Sequence, residues 1–571
     1  MSSTVPTTQL APTPRPRAGR DAVALRGGPA AAAALCLAGA ALVVVLGTRL
    51  SFFNDDWYFL FQRPGLESHG GLDTLLAPHN GNLVVLVAAA FKVIVAVFGI
   101  HSQLPFRLLV GACVAGLGAA VYMLARPRVG ELLALLAVAL VVFLGPAWEA
   151  LLFITGANHT AALAFGLGAL AALERDTPRR NLAACLLLVC AIAVANTGLA
   201  LVAGAAIAIA LRRRPRQAWI PGVPAALFVL WWALEGHRQS TGVTGGHVVR
   251  IPIYAVQALS SGLASLSGAD HASLPSVLRS GHLQLAVLAV AVAVWLWRGG
   301  RPRPQALVFA GALVAFWVLA GASAIPGRGA TASRYQITDV ALMVVLAAEL
   351  LHGVRPPRAV IGAVAVAALA MVASNLLVMR QGFRFLRQDA AYARADLGAI
   401  ELAGPRAPAT VWLVPPIGGD PYLSGITSSR YFAVTAAHGR PAFDSPAQLA
   451  TVPAAQRASA DAVLVVAYRL TPQPVAAAPP GASCRSVALG APRLSRPQSL
   501  STGRAWISNT GPAPLAIGLS RFGPVPHFVA FLGPHATKRL AVPADRAALP
   551  WRLVLLNPTR APRASISLCA G

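Results

Sequence analysis

The chain has 571 residues, 56% of them hydrophobic and only 12% charged, with a mean hydropathy of +0.63. A water-soluble fold of this length needs far more charge to cover its surface, so lipid is expected to be the solvent for much of it. The net charge of +27 does not mark a nucleic-acid partner: the arginines come in short clusters between apolar spans, as in cytoplasmic loops under the positive-inside rule.

Residues 1–28 are rich in Pro, Thr and Arg and are expected to form a disordered cytoplasmic tail. The run from Pro29 to about Leu50 is too long for a signal-peptide core and has no convincing cleavage site, so it reads as a retained membrane helix. Placing Arg126 and Arg128, Arg175 to Arg180, Arg212 to Arg216, Arg298 to Arg303 and Arg355 to Arg358 in the cytoplasm makes the spans between them pair. The pairs are about 131–145 with 158–173, 181–195 with 197–211, 217–235 with 283–298, and 305–321 with 336–352. Adding Leu104–Ala125 and a last span at about 359–379 gives about eleven transmembrane helices. The apolar run Leu83–Ile100 does not fit this alternation and is expected to lie along the outer surface as a juxtamembrane helix. Residues 51–82, 236–282 and everything after about 380 then fall outside, together with the short loops 146–157 and 322–335.

Residues 29–380 thus read as a transmembrane domain, 381–483 as an α/β region and 484–571 as a β-rich domain. Residues 410–416 and 461–468 read as buried strands. From Cys484 onward come short alternating runs separated by Gly and Pro (AWISNTG, LAIGLSRFG, HFVAFLGP, WRLVLLNP, ASISLCAG), the pattern of a β-sandwich. Cys484 and Cys569 bracket those runs and are expected to form a disulfide in an oxidising compartment. Cys36, Cys113, Cys185 and Cys190 lie in apolar spans, where a thiol behaves as a small hydrophobe.

The candidate chemistry gathers on the external side. Asp55 and Asp56 follow the first span among aromatics suited to the membrane interface. Repulsion and partial desolvation should raise at least one of their pKa values, which suits a general base; two solvated acids in an interfacial turn are the plainer alternative. His79 and Asn80, after Pro78, are expected to begin the juxtamembrane helix, whose N-terminus favours anions. Glu149, Asn158 and His159 fall on the same side as Asp55. Arg334, beside Tyr335, suits a bidentate clamp on a phosphate, and Lys92 and Arg107 suit the same role at the outer interface; snorkelling is the competing use of such side chains.

An acidic pair just after the first membrane helix, a Pro-His segment before a surface helix, Phe98-Gly99 and then Pro105-Phe106-Arg107 together resemble the GT-C superfamily of membrane glycosyltransferases. The resemblance covers roughly residues 29–380 and implies a GT-C-like α-helical polytopic membrane protein with an extracytoplasmic C-terminal region. It implies a sugar taken from a polyprenyl-phosphate carrier and passed to a glycan or protein acceptor outside the cytoplasmic membrane. Asp55 or Asp56 matches the catalytic acid of the first loop. For the second loop only Glu149 is available, before a helix that begins at Asn158 and His159, which departs from the family pattern.

The donor dictates the chemistry. A polyprenyl phosphate is already a good leaving group, so the reaction needs a base for the acceptor hydroxyl and positive charge for the departing phosphate. A single displacement inverts the anomeric centre. No cofactor is required, although oxygen ligands from Asp55 and Asp56 would suit Mg²⁺, Mn²⁺ or Ca²⁺. The rival readings are a transporter or lipid flippase, which usually keeps its polar groups near the bilayer midplane and shows repeated halves, and a non-catalytic scaffold for envelope assembly.

Overall fold

The computed structural model describes residues 27–63, 71–239, 245–269, 276–298, 300–324, 328–354, 356–410, 423, 425–489, 495–557 and 564–570. Long runs of Ala, Leu and Val fold as helices here, and Pro, Gly and Asn punctuate them. In chain order they are α1 (Gly28–Gly47), α2 (Val85–Phe98), α3 (Leu104–Val129), α4 (Glu131–Val142), α5 (Ala157–Leu173), α6 (Pro178–Val194) and α7 (Thr197–Leu211). They continue as α8 (Trp219–Leu234), α9 (Gly245–Ser267), α10 (His282–Trp297), α11 (Ala306–Ala322), α12 (Ser333–Leu350) and α13 (Arg358–Ala403). Proline occupies the first turn of α1, α3 and α6, where its missing N–H costs nothing.

Among the described residues, four helices are long and apolar enough to cross a membrane: Gly28–Gly47, Leu104–Val129, Pro215–Leu234 and Arg358–Arg406. A fifth span arises if Glu131–Val142 and Gly145–Leu152, bent by 43°, count as one. The expected eleven are therefore not met by length and composition. The physical reason is that α5, α7, α10 and α11 are apolar but only 15–17 residues long, or about 23–26 Å against a ~30 Å hydrocarbon core, while α6 is 17 residues long and opens on Pro178-Arg179-Arg180, and α12 carries Arg334, Asp339 and Glu349. Helices α8 and α10 leave Leu227, Val229, Leu230, Val287, Val290 and Trp297 exposed. An apolar surface of this extent is stable only against lipid or another apolar surface.

The helix ends sort into two polar poles. At one, Arg128 from the end of α3 pairs with Glu174 at 2.6 Å and with Glu349, both at C-terminal ends of other helices. Arg212 donates to the Leu173 carbonyl, and Arg214 pairs with Asp176. At the opposite pole the segments 51–63, 71–82, 146–157, 195–197 and 328–335 converge on one cavity. The arginine clusters thus mark one end of the bundle and the candidate chemistry the other.

Helix α13 does not stop where its apolar part ends near Met379. It runs on to Ala403, burying Ala393, Leu397 and Ile400 in the C-terminal unit. That unit adds α14 (Ser428–His438), α15 (Ala454–Ala467) and, among the described residues, nine strands: β1 (Gln473–Val475), β2 (Ser483–Leu489), β3 (Gln498–Leu500), β4 (Gly503–Asn509), β5 (Leu515–Ser520), β6 (His527–Leu532), β7 (Thr537–Val542), β8 (Trp551–Leu556) and β9 (Ala564–Ala570). They form two antiparallel sheets, β1-β7-β4-β9-β2 and β3-β8-β5-β6. Cys484 of β2 lies directly opposite Cys569 of β9, and the two are joined by a disulfide.

Residues 461–468 are not a strand. They form the end of α15, entered from Pro453 and the good helix formers Ala454-Ala455-Gln456-Arg457. A short apolar run buried on all sides has no periodicity to separate helix from strand, and the flanking residues decide. The other expected strand, 410–416, lies outside the described residues except for Thr410, which sits in a turn.

Candidate functional site

The first loop separates its two carboxylates. Asn54 adopts a left-handed backbone (φ 46°), and Asp55–Trp57 then form a single helical turn. Successive residues of such a turn point about 100° apart, so the neighbours face different surroundings. Asp56 turns inward and is fully buried. Its Oδ2 accepts the Phe53 N–H at 3.1 Å, and its Oδ1 accepts the Thr155 N–H at 2.9 Å, which ties segment 51–63 to segment 146–157. Burial pushes the Asp56 carboxyl up to about 7, although nearby Arg107 and the two N–H donors pull it down.

This raised pKa has a stability consequence. Between about pH 4 and pH 7 the folded chain holds a proton at Asp56 that the unfolded chain has released. The contribution of Asp56 to stability is therefore fully present below pH 4 and is lost as pH rises through 7. Replacing Asp56 with Asn removes that dependence. The expected result is that the gap between wild-type and D56N melting temperatures narrows from pH 5 to about pH 7 and levels off above it. A gap independent of pH would show that Asp56 stays ionised in the fold.

Asp55 points the other way, into a cavity of about 410 Å³. Its Oδ2 lies 3.2 Å from His79 Nε2, with the Asp55 side chain one-third exposed. His79 is held by the Tyr58 ring, 4.6 Å away between centroids, and by the edge of Phe59. The same Nε2 is 3.1 Å from the Asn80 amide nitrogen, so the imidazole tautomer decides which neighbour it binds.

His79 and Asn80 do not begin a helix. His79 and Asn82 exchange both backbone hydrogen bonds, at 3.1 and 2.9 Å, around Asn80 (φ 53°) and Gly81 (φ 74°). Two central residues with positive φ make a type I′ turn, for which Asn-Gly is the preferred pair. The helix starts later, at Val85. Asn196, in the break between α6 and α7, pins this turn: its Nδ2 donates to the Gly81 carbonyl at 2.9 Å, and its N–H donates to Asn82 Oδ1 at 3.3 Å.

The cavity also takes Asn158, His159, Arg334 and Tyr335 from the expected set, together with Asn54, Asn82, Thr155, Thr197, Phe316 and Arg328. His159 Nδ1 lies 3.0 Å from Thr197 Oγ1, and its ring meets the Tyr335 ring edge-on. Arg328 donates to the Asn80 carbonyl at 3.4 Å. The lining therefore carries one carboxylate, two guanidiniums, two imidazoles and a belt of asparagines. Arg328 and Asn196 were not among the candidates. Arg328 stands in a Gly-rich stretch just before Ser333-Arg334-Tyr335, and Asn196 in a two-residue gap between apolar runs; both are positions where a polar residue faces a loop junction.

Three expected residues lie elsewhere. Glu149 binds Arg334 rather than the cavity: its Oε2 accepts from the Arg334 N–H and from Nη1, each at 3.3 Å, and so caps α12. Lys92, on α2, does not line the cavity. Arg107 is buried under the first loop, where it donates to the Leu152 carbonyl, to the Ser51 carbonyl at 3.1 Å and to Gln103 Oε1 at 2.8 Å. These bonds brace the loops from below. The acidic pair is split in the fold: Asp55 lines the cavity, while each oxygen of buried Asp56 accepts one backbone N–H. Among the described residues no group of three or more His, Cys, Asp or Glu side chains is placed to hold a metal ion.

Comparison with protein-family models and with curated proteins finds no match to this chain.

Proposed function

We propose that this chain is a membrane glycosyltransferase of the GT-C type. It moves a sugar from a polyprenyl-phosphate donor to a glycan or protein acceptor on the extracytoplasmic side, with inversion. The observation that carries the reading is the lining of one cavity by Asp55, Arg328 and Arg334 at the pole opposite the arginine clusters. In this reading Asp55 takes the proton of the acceptor hydroxyl, and the acceptor oxygen attacks the anomeric carbon. The bond from that carbon to the carrier phosphate breaks, and its electron pair leaves on the phosphate, which Arg334 and Arg328 stabilise. His79 orients Asp55, and the asparagines offer donors and acceptors to sugar hydroxyls. In this reading α5, α6, α7, α10, α11 and α12 also cross the bilayer, which with the five spans above gives eleven and puts residues 381–571 outside. A flippase is disfavoured because the polar lining of the cavity sits at one end of the bundle rather than at its middle.

The test is turnover by purified protein of a panel of radiolabelled polyprenyl-phosphate sugars. Transfer of label to an acceptor supports the reading; flipping of the donor across sealed vesicles without transfer replaces it by the flippase. Arg334→Ala should weaken apparent donor affinity, and Arg334→Lys should restore only part of it, because an ammonium cannot make a bidentate clamp. Equal donor affinity in all three proteins would remove Arg334 from the phosphate site. For orientation, protease added to intact spheroplasts should digest the C-terminal region; its protection until lysis would invert the topology.

A further inference from the structure

The strongest feature outside this site lies at the arginine-rich pole. Helices α7 and α8 diverge from the turn at Pro215–Gln217 and leave a groove of about 750 Å³ between them. Its floor is apolar and runs along one face of α7 from Leu199 to Arg213, a length of about 21 Å at the helical rise. That exceeds the ~15 Å depth of one leaflet's hydrocarbon. Ala206 on α7 and Gly222 on α8 are exposed in it, so the groove opens outward rather than into the bundle. Arg213 and Arg214 close one end.

The charge at that end is one-sided. Arg212, Arg213, Arg214 and Arg216 fall within five residues. Asp176 binds Arg214 and accepts from Gln217 at 2.6 Å, while Arg212 is bound to the Leu173 carbonyl. One carboxylate against four guanidiniums leaves the mouth of the groove strongly positive. An apolar trough about one leaflet long, ending in net positive charge at a membrane-helix terminus, has the chemistry of an anionic lipid site.

The geometry points to one occupant: an anionic phospholipid of the arginine-side leaflet, with one acyl chain in the α7–α8 groove and its phosphate on Arg213 and Arg214. This does not depend on the glycosyltransferase reading, since the groove is at the opposite pole from the cavity. Helix α7 runs from one to the other, and its first residue, Thr197, lines that cavity.

The test is native mass spectrometry of the purified chain with phosphatidylglycerol or phosphatidylcholine of the same acyl chains. Phosphatidylglycerol should be retained roughly ten- to thirty-fold better, the increment two arginines give toward an anionic headgroup. Arg213→Gln combined with Arg214→Gln should bring the ratio close to one. Gly222→Leu should reduce retention of both lipids, because a Cβ there meets nothing within 4 Å and its side chain would enter the groove without strain. Unchanged melting temperatures show that the variants are folded. Equal retention of the two lipids by the wild type, or undiminished retention by Gly222→Leu, would overturn the proposal. So would competition by free glycerol phosphate, which would mean a headgroup site without a chain. A dimer abolished by Gly222→Leu would mean that a second copy, not lipid, fills the groove.

Discussion

Asp55→Asn is expected to lower sugar transfer about 10²–10⁴-fold, the usual cost of losing a general base, while leaving the melting temperature nearly unchanged. Asp55 is partly exposed in the cavity, and its recorded side-chain partner is His79 at 3.2 Å. Asparagine has nearly the same shape and keeps one acceptor for His79, so packing survives and only the proton acceptor is lost. Asp56→Asn should behave differently. Its amide nitrogen would face a backbone donor, either at Phe53 or at Thr155, where an oxygen now accepts. That leaves a buried N–H without a partner, at a cost of about 1–3 kcal/mol. The expected pattern is thus a dead but stable D55N and a less stable D56N with turnover retained in the folded fraction. Near-wild-type turnover by D55N at matched expression would end the catalytic assignment, and a dead, fully stable D56N would transfer it to the neighbour.

The largest stability effect is expected at Asp461. This buried carboxylate on α15 receives three successive backbone N–H groups from the turn after β5. Oδ2 accepts from Arg521 and Gly523 at 2.8 Å each, and Oδ1 accepts from Phe522 at 2.9 Å. The same turn is locked from the other side, where Arg521 forms a buried pair with Asp545 and Arg552 donates to the Arg521 and Gly523 carbonyls. Asp461→Ala removes one acceptor group and strands three buried donors. Their desolvation should cost about 3–5 kcal/mol in total and free the sheet pair from α15. Scanning calorimetry of the full chain should show the lower-stability transition moving down, with limited proteolysis cutting near residue 523. A melting profile superimposable on the wild type would mean that water replaces the carboxylate at no cost.

How much of this could be read in the sequence varies with how local the cause is. The sandwich was visible because alternation between Gly and Pro is a strand-by-strand signal: the runs starting at Ala505, Leu515, His527, Trp551 and Ala564 each fall in a strand. Strand β7, Thr537–Val542, was missed because Lys538 and Arg539 interrupt its alternation. Asn80-Gly81 carried a turn signal that Pro78 obscured. The split between Asp55 and Asp56 was not legible at all: adjacent identical residues differ only in what a distant Thr155 and Arg107 bring to one of them. Likewise nothing near Asn196 announces that it will hold a turn more than a hundred residues away.

Helix α13 carries one last consequence. Its 46 residues form a rod about 69 Å long, of which the part past Met379 is about 36 Å. Near the end of its apolar part it is gripped by the segment 145–148: Asn375 accepts the Gly145 N–H at 3.0 Å, and Gly382 has no room for a side chain because Trp148 lies against it. A rod held there acts as a lever with its fulcrum beside the cavity. A bilayer that thickens or thins changes the tilt of its membrane arm, and a change of about 10° swings the far end by about 6 Å. A tilt of the apolar part is thereby passed to the C-terminal unit, in which the far end of the rod is buried.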